Sequence, residues 1–506
     1  MRLTDSHSAA SIRHAQARRL AAGIAAFCLL SGCISLAPTT EVPAVVAELP
    51  QRFESSSDAN PYQPTAWWAS FQDPVLDGFI DRALRSNLDI VEAVGRLDQA
   101  RAQARLARSA LRPTVAANGN GSFSSTPLDG NAFSDLAGGA IDRLENETYS
   151  LSLGASYELD LFGRARNDLA AARQDADASF YDLQTVQLAS AAETISAYFD
   201  FVDTRRQIDL AKLTEEVLVD RAARTDDRFQ RGLAESFELY QVRQDLRSTQ
   251  ASRPQLESAL ISARARLALV MGTYPAELNT MLDATLQPRL AFAPVPSGLP
   301  SGLLTQRPDV AAAWVRLEGA RLRIGARKAE RFPTISLSGS LGTQGGDPGS
   351  AFDFANNWTQ SLAASIVAPI FDGGRISANI RSARAVYDQR AAAYARTVLS
   401  AYGEVESAIA EYDQQRLRYR LIDAQLREAR ASLDLQSRRF AAGVGSYTTY
   451  LDALRTLYQV ESSRSSAGRA TALARLGVHR ALGGDWAGPV QPKALETREL
   501  KQGVMP

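Results

Sequence analysis

The sequence is poor in the residues that build metal centres and nucleophilic active sites. Its 506 residues include two cysteines and three histidines. Cys28, Cys33, His7 and His14 all lie within the first 33 residues, which leaves His479 alone in the rest of the chain. A Cys/His metal site or a Ser/His dyad needs more partners than that. We therefore expect no enzyme, no metal and no cofactor. A hydrolase that uses carboxylates alone stays open, although no local motif supports one.

A surplus of charge of either sign is also missing. The chain has 56 Lys plus Arg and 56 Asp plus Glu, and no basic block stands out in it. Proteins that bind nucleic acid need a basic surface to neutralise the phosphates. The charge balance therefore predicts no nucleic-acid partner.

The apolar run near the N-terminus is too short to span a bilayer. Leu20 to Leu30 has the length of a signal-peptide core, and three arginines precede it: Arg13, Arg18 and Arg19. The run ends in Leu30-Ser31-Gly32-Cys33, which resembles a bacterial lipobox. We predict a lipoprotein signal peptide at 1–32 and a covalent lipid on Cys33. A plain secretory signal with an incidental cysteine is the alternative.

The residues after the lipobox favour the outer membrane. Ile34 occupies the position where an Asp in Gram-negative lipoproteins tends to retain the protein in the inner membrane. Residues 33–66 are rich in Pro, Ser, Thr and Glu without an apolar period, so we predict a lipid-anchored linker there. We expect the ordered fold to begin at Trp67.

The rest of the chain is a tandem duplication. Residues 87–122 match 307–342, and residues 227–246 match 438–457, the latter pair 211 positions apart. An internal repeat of this kind defines how the chain is organised. We assign a first structural repeat to 67–290, a second structural repeat to 291–485, and a polar C-terminal tail to 486–506.

Each repeat contains two segments with a period of two. In 149–160, Leu151 and Leu153 alternate with Ser150 and Ser152. Segments of about ten residues that are apolar on one face and rich in Ser and Asn on the other suit transmembrane β-strands. A half-buried sheet of a soluble protein alternates in the same way and stays the alternative. The other three segments with this period are 114–124, 335–341 and about 358–368.

Each repeat also contains a very long helical region. Residues 164 to 228 are mostly strong helix formers, and apolar residues recur there with the heptad-like spacing of packed helices. A helix of about 65 residues is roughly 100 Å long at about 1.5 Å per residue. Such a helix projects as a rod or packs against similar rods. Shorter helices that end before a proline are predicted at about 72–111 and about 308–331.

Two glycines interrupt the long helical regions at equivalent places. Gly232 and Gly443 follow the repeated Arg-Phe pairs that begin at Arg228 and Arg439. Glycine suits the left-handed backbone that ends a helix. We predict that each glycine marks the turn at the tip of a helical hairpin.

Four strands in one chain cannot close a barrel, and lipid does not tolerate open strand edges. The chain must therefore assemble with copies of itself. Two copies give an eight-stranded barrel, and side chains fill the interior of a barrel of that size. Three copies give twelve strands, which leave room for an open lumen. The expected fold class is an α+β membrane protein that combines a β-barrel with long helices on the periplasmic side.

This organisation resembles the TolC-like outer-membrane factor family, and within it the lipoprotein branch that serves resistance-nodulation-division (RND) efflux pumps. The resemblance covers nearly the whole mature chain, and it is carried by Trp67-Trp68, 71–84, Arg307-Pro308-Asp309, Phe332-Pro333 and 438–453. It implies a homotrimer whose twelve-stranded β-barrel is continued by a long periplasmic α-helical coiled-coil barrel. It also implies a periplasmic adaptor (membrane fusion protein) and an inner-membrane RND transporter as partners. The chain would be a passive exit duct in the outer-membrane lipids for drugs or other small toxic solutes.

The resemblance further implies a periplasmic gate. In this family the hairpin tips close the tunnel, and acids near the second tip form rings across the threefold axis. Asp452, with Thr448 and Thr449 beside it, matches that place, but Thr449 stands where better-known members have a second acid. Three Asp452 carboxylates close together would repel one another and favour cations at the mouth. The alternative is that Asp452 is a solvated acid that stabilises a helix N-terminus.

The tip residues Gly232, Gly443, Arg228 and Arg439 are candidates for the adaptor contact, with a simple turn requirement as the alternative. Two other functions stay open at this point. The same tube could serve another exporter, such as type I protein secretion. A lipid-anchored coiled-coil scaffold without a pore would explain the heptads, but it would leave the four alternating strands unexplained.

Overall fold

The computed structural model describes residues 36–54, 67–127, 143–280, 282, 302 and 306–484. The predicted signal peptide with Cys33, part of the predicted linker and the predicted C-terminal tail lie outside the described residues. Within those ranges, none of the helices has the length and apolar character needed to cross a membrane.

After a short helix α1 (Ala44–Ala47), the elements follow the same order in both repeats, except that α2 of the first repeat has no counterpart among the described residues of the second. The first repeat contains α2 (Pro74–Ser86), α3 (Leu88–Ser109), β1 (Thr114–Pro127), β2 (Arg143–Leu159), α4 (Arg164–Gln230) and α5 (Ser236–Val270). The second contains α6 (Pro308–Ala329), β3 (Thr334–Gly345), β4 (Trp358–Val367), α7 (Arg375–Ala441) and α8 (Tyr447–Ala481).

Equivalent helices have the same length in the two repeats. Helices α3 and α6 both have 22 residues, α4 and α7 both have 67, and α5 and α8 both have 35. The predicted duplication and the two long helices are therefore confirmed.

The single helix predicted at 72–111 was wrong, because Asn87 divides it into α2 and α3. The backbone of Asn87 is extended, with ψ of 131°. Its side-chain Oδ1 accepts hydrogen bonds from the N–H groups of Asp89 at 2.8 Å and Ile90 at 3.2 Å. Asn87 thus ends one helix and caps the next, a role that suits its short amide side chain.

The described chain divides into two compact units, each built from both repeats. The strand unit comprises 36–41, 99–127, 143–176 and 315–391. The helical unit comprises 42–54, 67–98, 177–280, 306–314 and 392–484, with Leu282 and Gly302. Neither unit coincides with one repeat, because each long helix has its first part in the strand unit and the rest in the helical unit.

The strand unit contains an antiparallel sheet in the order β1-β2-β3-β4. Its register aligns like with like: Leu153 lies opposite Ala117 and Leu341, while Ser152 lies opposite Asn118 and Gly342. One face therefore carries apolar rows and the other carries rows of small polar residues. The four strands predicted from the period of two are confirmed, and three of the four are longer than predicted.

The apolar face of this sheet is open in the single chain. Leu153 is 57% exposed and Leu362 is 88% exposed. On the polar face, neighbouring serines pair across the strands, with Ser336 Oγ 2.7 Å from Ser365 Oγ and Ser340 Oγ 2.8 Å from Ser361 Oγ. The outer edges of β1 and β4 have no strand partner among the described residues.

The prediction that order begins only at Trp67 needs correction for residues 36–54. In the strand unit, Arg321 Nη1 donates to the carbonyl of Pro38 at 3.0 Å, and Tyr387 accepts from the N–H of Glu41 at 3.1 Å. In the helical unit, Phe53 is only 3% exposed and stacks on Tyr402. The polar composition of residues 36–54 predicted a linker, because composition alone does not reveal the few contacts that hold this segment against the helices.

The helical unit has a continuous apolar core around α2, α3, α4, α5 and α8. Tyr198 is fully buried there, and its hydroxyl donates to Asp73 Oδ2 at 2.6 Å. Asp73 in turn accepts from the N–H groups of Val75 and Leu76 at the start of α2. One carboxylate thus caps a helix and satisfies a buried phenol, which removes the cost of burying either group alone.

Arg307 joins the start of α6 to the end of α8 in the helical unit. Its guanidinium is paired with Asp309 through Nη2 at 2.7 Å and with Glu404 through Nη1 at 2.8 Å. It also donates to the carbonyl of Ala481 at 2.8 Å. The Arg-Pro-Asp motif of the sequence is therefore a structural ion-pair network.

Candidate functional site

The candidate site lies at the tips of the two helical hairpins in the helical unit. At the first tip, Gly232 has φ of 70°. Its N–H donates to the carbonyl of Phe229 at 2.9 Å, and the N–H of Leu233 donates to the carbonyl of Arg228 at 2.8 Å. This pair of bonds is a Schellman motif, which satisfies the last carbonyls of α4. The predicted turn at Gly232 is confirmed.

The second tip repeats this geometry. Gly443 has φ of 75°, and its N–H donates to the carbonyl of Phe440 at 3.0 Å. The N–H of Val444 donates to the carbonyl of Arg439 at 3.0 Å. The left-handed backbone at both glycines explains why the sequence keeps glycine at the same place in each repeat.

The surroundings of the two turns differ. Tyr447 and Tyr450 of the second tip are each 4% exposed and pack on Phe440. Arg221 of α4 lies over the ring of Tyr450, 4.7 Å from its centroid. Thr225 Oγ1 donates to the hydroxyl of Tyr447 at 3.3 Å, and burial raises the pKa of that phenol. The second tip is thus packed against the first hairpin.

Arg228 and Arg439 are equivalent in sequence but differ in their contacts. The guanidinium of Arg228 donates to the carbonyl of Leu233 at 3.1 Å and lies 5.6 Å from the centroid of the Phe440 ring. The side chain of Arg439 is exposed. Arg228 therefore links the two tips.

Thr448 and Thr449 belong to the cap at the start of α8. Ser446 is the N-cap residue, and its Oγ accepts from the N–H of Thr449 at 3.2 Å. The hydroxyl of Thr448 lies 2.8 Å from the same Oγ. The threonine found in place of a second acid is thus part of a hydrogen-bonded turn.

Asp452 lies beyond this cap. The first turn of α8 contains no acidic residue, so Asp452 is displaced from the position where an acid best stabilises the helix dipole. Its Oδ1 accepts from Arg455 Nη1 at 3.0 Å, and its side chain is 66% exposed. The structure therefore gives Asp452 a cationic partner within α8.

Arg455 connects Asp452 with the other hairpin. Its Nε donates to Asp245 Oδ2 of α5 at 2.9 Å, and its Nη2 bonds the same oxygen. The Asp245 side chain is only 19% exposed. One arginine therefore holds an acid on each hairpin, and an outward movement of α8 relative to α5 would have to break these bonds.

Sequence reasoning missed Arg455 and Asp245. Arg455 follows Asp452 by three positions, which places both on one face of a helix and could have signalled the pair. Asp245 lies four positions after Gln241, the repeat-equivalent of Asp452. Only the fold brings α5 and α8 together, so this contact had no sequence signal.

Comparison with known proteins places the chain in a family. The family model "Outer membrane efflux protein" matches residues 79–273 and 299–484. The pyoverdine export outer membrane protein OpmQ of Pseudomonas putida is 29% identical over 91% of this chain and 97% of its own length. The cation efflux system protein CusC of Escherichia coli O6:H1 is 30% identical over 91% of this chain and 98% of its own length.

The solved structures agree with this placement. The outer-membrane channel OprN matches with a TM-score of 0.79 at 28% identity, covering 89% of this chain and 99% of that one. The predicted TolC-like fold and the outer-membrane localisation are therefore confirmed. The chain belongs to the outer membrane efflux protein family and is the outer-membrane channel component of an efflux system.

Proposed function

We propose that three copies of this chain form a passive exit duct across the outer membrane. The observation that carries the proposal is the four-stranded sheet with apolar rows on one face, polar rows on the other, and two edges that have no strand partner within the described ranges. In lipid these edges need strands from further copies. Three copies supply twelve strands, enough to enclose water between the polar faces.

The duct would work with a periplasmic adaptor and an inner-membrane RND transporter, which supplies the energy. Its cargo would be drugs or other small toxic solutes. Two relatives of nearly equal identity to this chain are named for pyoverdine and for cations, which are chemically unlike. This difference supports a duct that does not select its cargo. We propose that the pump makes the selection, and that the hydroxyl-rich faces of the strands offer the solute only weak contacts.

We propose that the hairpin tips are the periplasmic gate. Arg455 would hold the gate closed through its ion pairs with Asp245 and Asp452. Asp452 would set the preference for cations at the periplasmic mouth of the duct. Thr448 and Thr449 would fix the first turn of α8. The turns at Gly232 and Gly443, together with Arg228 and Arg439, would form the surface that the adaptor contacts.

Outside the described residues, we propose that Cys33 carries a covalent lipid. Cys33→Ser should abolish labelling by radioactive palmitate without abolishing assembly. Retained labelling of the purified variant would contradict the lipidation.

Cysteine accessibility on β2 tests the proposed duct. Ser152→Cys should react in intact cells with a small charged maleimide, because Ser152 lies on the polar face. Leu153→Cys, its immediate neighbour, should resist that reagent and react only with a membrane-permeant one. Equal reactivity at both positions would contradict a barrel wall and favour a scaffold without a pore.

A further inference from the structure

The loop between β3 and β4 (346–357) folds back over the apolar face of the sheet in the strand unit. Thr343 lies on that face of β3, and it is only 1% exposed because its hydroxyl donates to the carbonyl of Ala351 in the loop. At Gly345 the loop comes so near that an added Cβ would overlap the side chain of Ser350. The loop therefore covers one end of a face that is otherwise open.

Hydrogen bonds within the loop fix its shape. Asp353 Oδ1 accepts from the N–H groups of Ala355 and Asn356, both at 3.1 Å. The side chain of Asn356 donates to the other Asp353 oxygen at 2.9 Å. An aspartate that binds its own backbone in this way makes a compact turn. The turn encloses Phe354, so the loop holds the ring of Phe354 at one place beside the sheet.

An apolar groove of about 720 Å³ lies between the loop and the sheet. It is lined by Leu151 and Leu153 of β2, Leu341 of β3, Phe354 of the loop and Trp358 at the start of β4. Its volume is in the range of small-ligand sites, about 300–1,000 Å³. Within the described ranges, no charged side chain lines this loop groove. The lining therefore suits an apolar ligand.

A close approach of β2 and β3 on the polar face opens the loop groove on the apolar face. Gly342 lies opposite Ser152, and an added Cβ at Gly342 would lie 2.6 Å from Ser152 Cβ. Directly opposed β-carbons are normally about 4.5–5.5 Å apart. Strands that fold together on one face diverge on the other. Leu153 and Leu341, which are directly opposite each other on the apolar face, accordingly stay 57% exposed.

Chain connectivity places the loop groove at the extracellular end of the sheet. A helix precedes β1 and β3, and a long helix follows β2 and β4. These helices lie on the periplasmic side in this fold, so the β3–β4 loop lies at the opposite end, beside the outer leaflet. Strands of further copies would pair at the edges of β1 and β4, whereas the groove is centred on β2 and β3. Assembly would therefore leave it open to lipid.

We propose that the loop groove holds an acyl chain of lipopolysaccharide, the main lipid of the outer leaflet in a Gram-negative outer membrane. The site rests on the proposed duct and occurs three times in the trimer. A chain on the open wall touches protein on one side only, whereas a chain in the groove also packs against Phe354. Lipid tails are as apolar as leucine, so it is this added packing that retains the lipid.

Lipid that stays with the purified trimer tests the site. The protein is extracted in a mild detergent, its mass is measured by light scattering, and its 3-hydroxy fatty acids are quantified per chain after hydrolysis. Lipopolysaccharide carries these acids, whereas phospholipids and the lipid proposed for Cys33 do not. The unchanged trimer should retain one lipopolysaccharide molecule per chain.

Two phenylalanines of the loop give a matched pair of variants. Phe354→Ala should lower the retained lipopolysaccharide about fivefold, which corresponds to about 1 kcal/mol of binding free energy. Phe352 belongs to the same loop and is 68% exposed, against 61% for Phe354, but it does not line the groove. Phe352→Ala should therefore retain as much lipopolysaccharide as the unchanged protein.

Filling the groove gives a second measurement without removing a contact. Ala117 of β1 lines the groove and is exposed. Ala117→Phe should displace the acyl chain and lower the retained lipopolysaccharide. Val115, two positions earlier on the same face, is 70% exposed and lies outside the lining, so Val115→Phe should leave the retained amount unchanged.

The outcomes separate this site from the proposed duct. A conducting trimer without 3-hydroxy fatty acids, or with phospholipid in their place, refutes the site and leaves the duct standing. An equal loss in Phe354→Ala and Phe352→Ala shows an adventitious lipid only and also refutes the site. A monomer by mass that does not conduct overturns both the site and the duct.

Discussion

Arg455 offers the sharpest test of the proposed gate. The guanidinium holds Asp245 of α5 and Asp452 of α8, and its own side chain is 41% exposed. Such a partly exposed pair contributes about 1 kcal/mol to the closed arrangement. If three protomers open together, Arg455→Gln removes about 3 kcal/mol, which raises the ratio of open to closed channels about 100-fold.

Single-channel recording in planar bilayers measures this ratio directly. Asp245→Asn should raise the ratio of open to closed channels in the same way, because it removes the acid of α5 that Arg455 contacts. Arg464→Gln is the matched control: Arg464 pairs with Asp423 at 2.6 Å, has similar exposure, and makes its contact within the second hairpin. The control should leave the open fraction unchanged.

Two results would refute the reasoning about Arg455. The first is an Arg455→Gln channel with the open fraction of the unchanged protein. The second is an equal increase for Arg464→Gln, since it would show that any lost ion pair loosens the helices.

Three further predictions follow from the described contacts. Asp452→Ala should enlarge the conductance and weaken the cation preference, measured as the reversal potential in a salt gradient; unchanged values would remove Asp452 from the gate. Arg307→Met should destabilise the helical unit by about 2 kcal/mol, because it leaves the carbonyl of Ala481 without its buried donor and removes the cation from the partly exposed Asp309 and Glu404; an unchanged midpoint of denaturation would contradict the structural role of the network. Burial, reinforced by Arg475, lowers the pKa of His479 from 6.5 to about 3, so the unfolded state binds the extra proton between these values. Stability should therefore fall by about 1.4 kcal/mol per pH unit as the pH drops below 6.5, and His479→Phe should remove that component; an identical pH dependence in the variant would show that other groups cause it.

The periodic parts of the fold could be predicted from the sequence. The strands follow from an alternation that the register confirms row by row, as with Leu153 and Leu341. The hairpin turns follow from Gly232 and Gly443, because few residues other than glycine adopt a positive φ at low cost. Because the chain is duplicated, each sequence pattern occurs twice, and a pattern that is weak in one repeat is supported by its equivalent in the other.

Contacts between distant segments could not be predicted in this way. Asn87 interrupts a helical pattern, and a single capping amide is a weak signal within forty residues of helix formers. Residues 36–54 have the composition of a linker, and a few contacts such as that of Phe53 with Tyr402 suffice to hold them. The sequence identified Asp452 as a candidate. It did not identify Arg455, because Arg455 links the two hairpins only through its contact with Asp245, which lies about two hundred positions away in the sequence.

The conductance of the purified protein tests the central claim most directly. The detergent-solubilised chain, confirmed as a trimer by mass, is added to one side of a planar bilayer without adaptor or pump. The account predicts discrete conductance steps, with brief openings in the unchanged protein and long ones after Arg455→Gln. A purified trimer that inserts into the bilayer and conducts in neither form would contradict the exit duct.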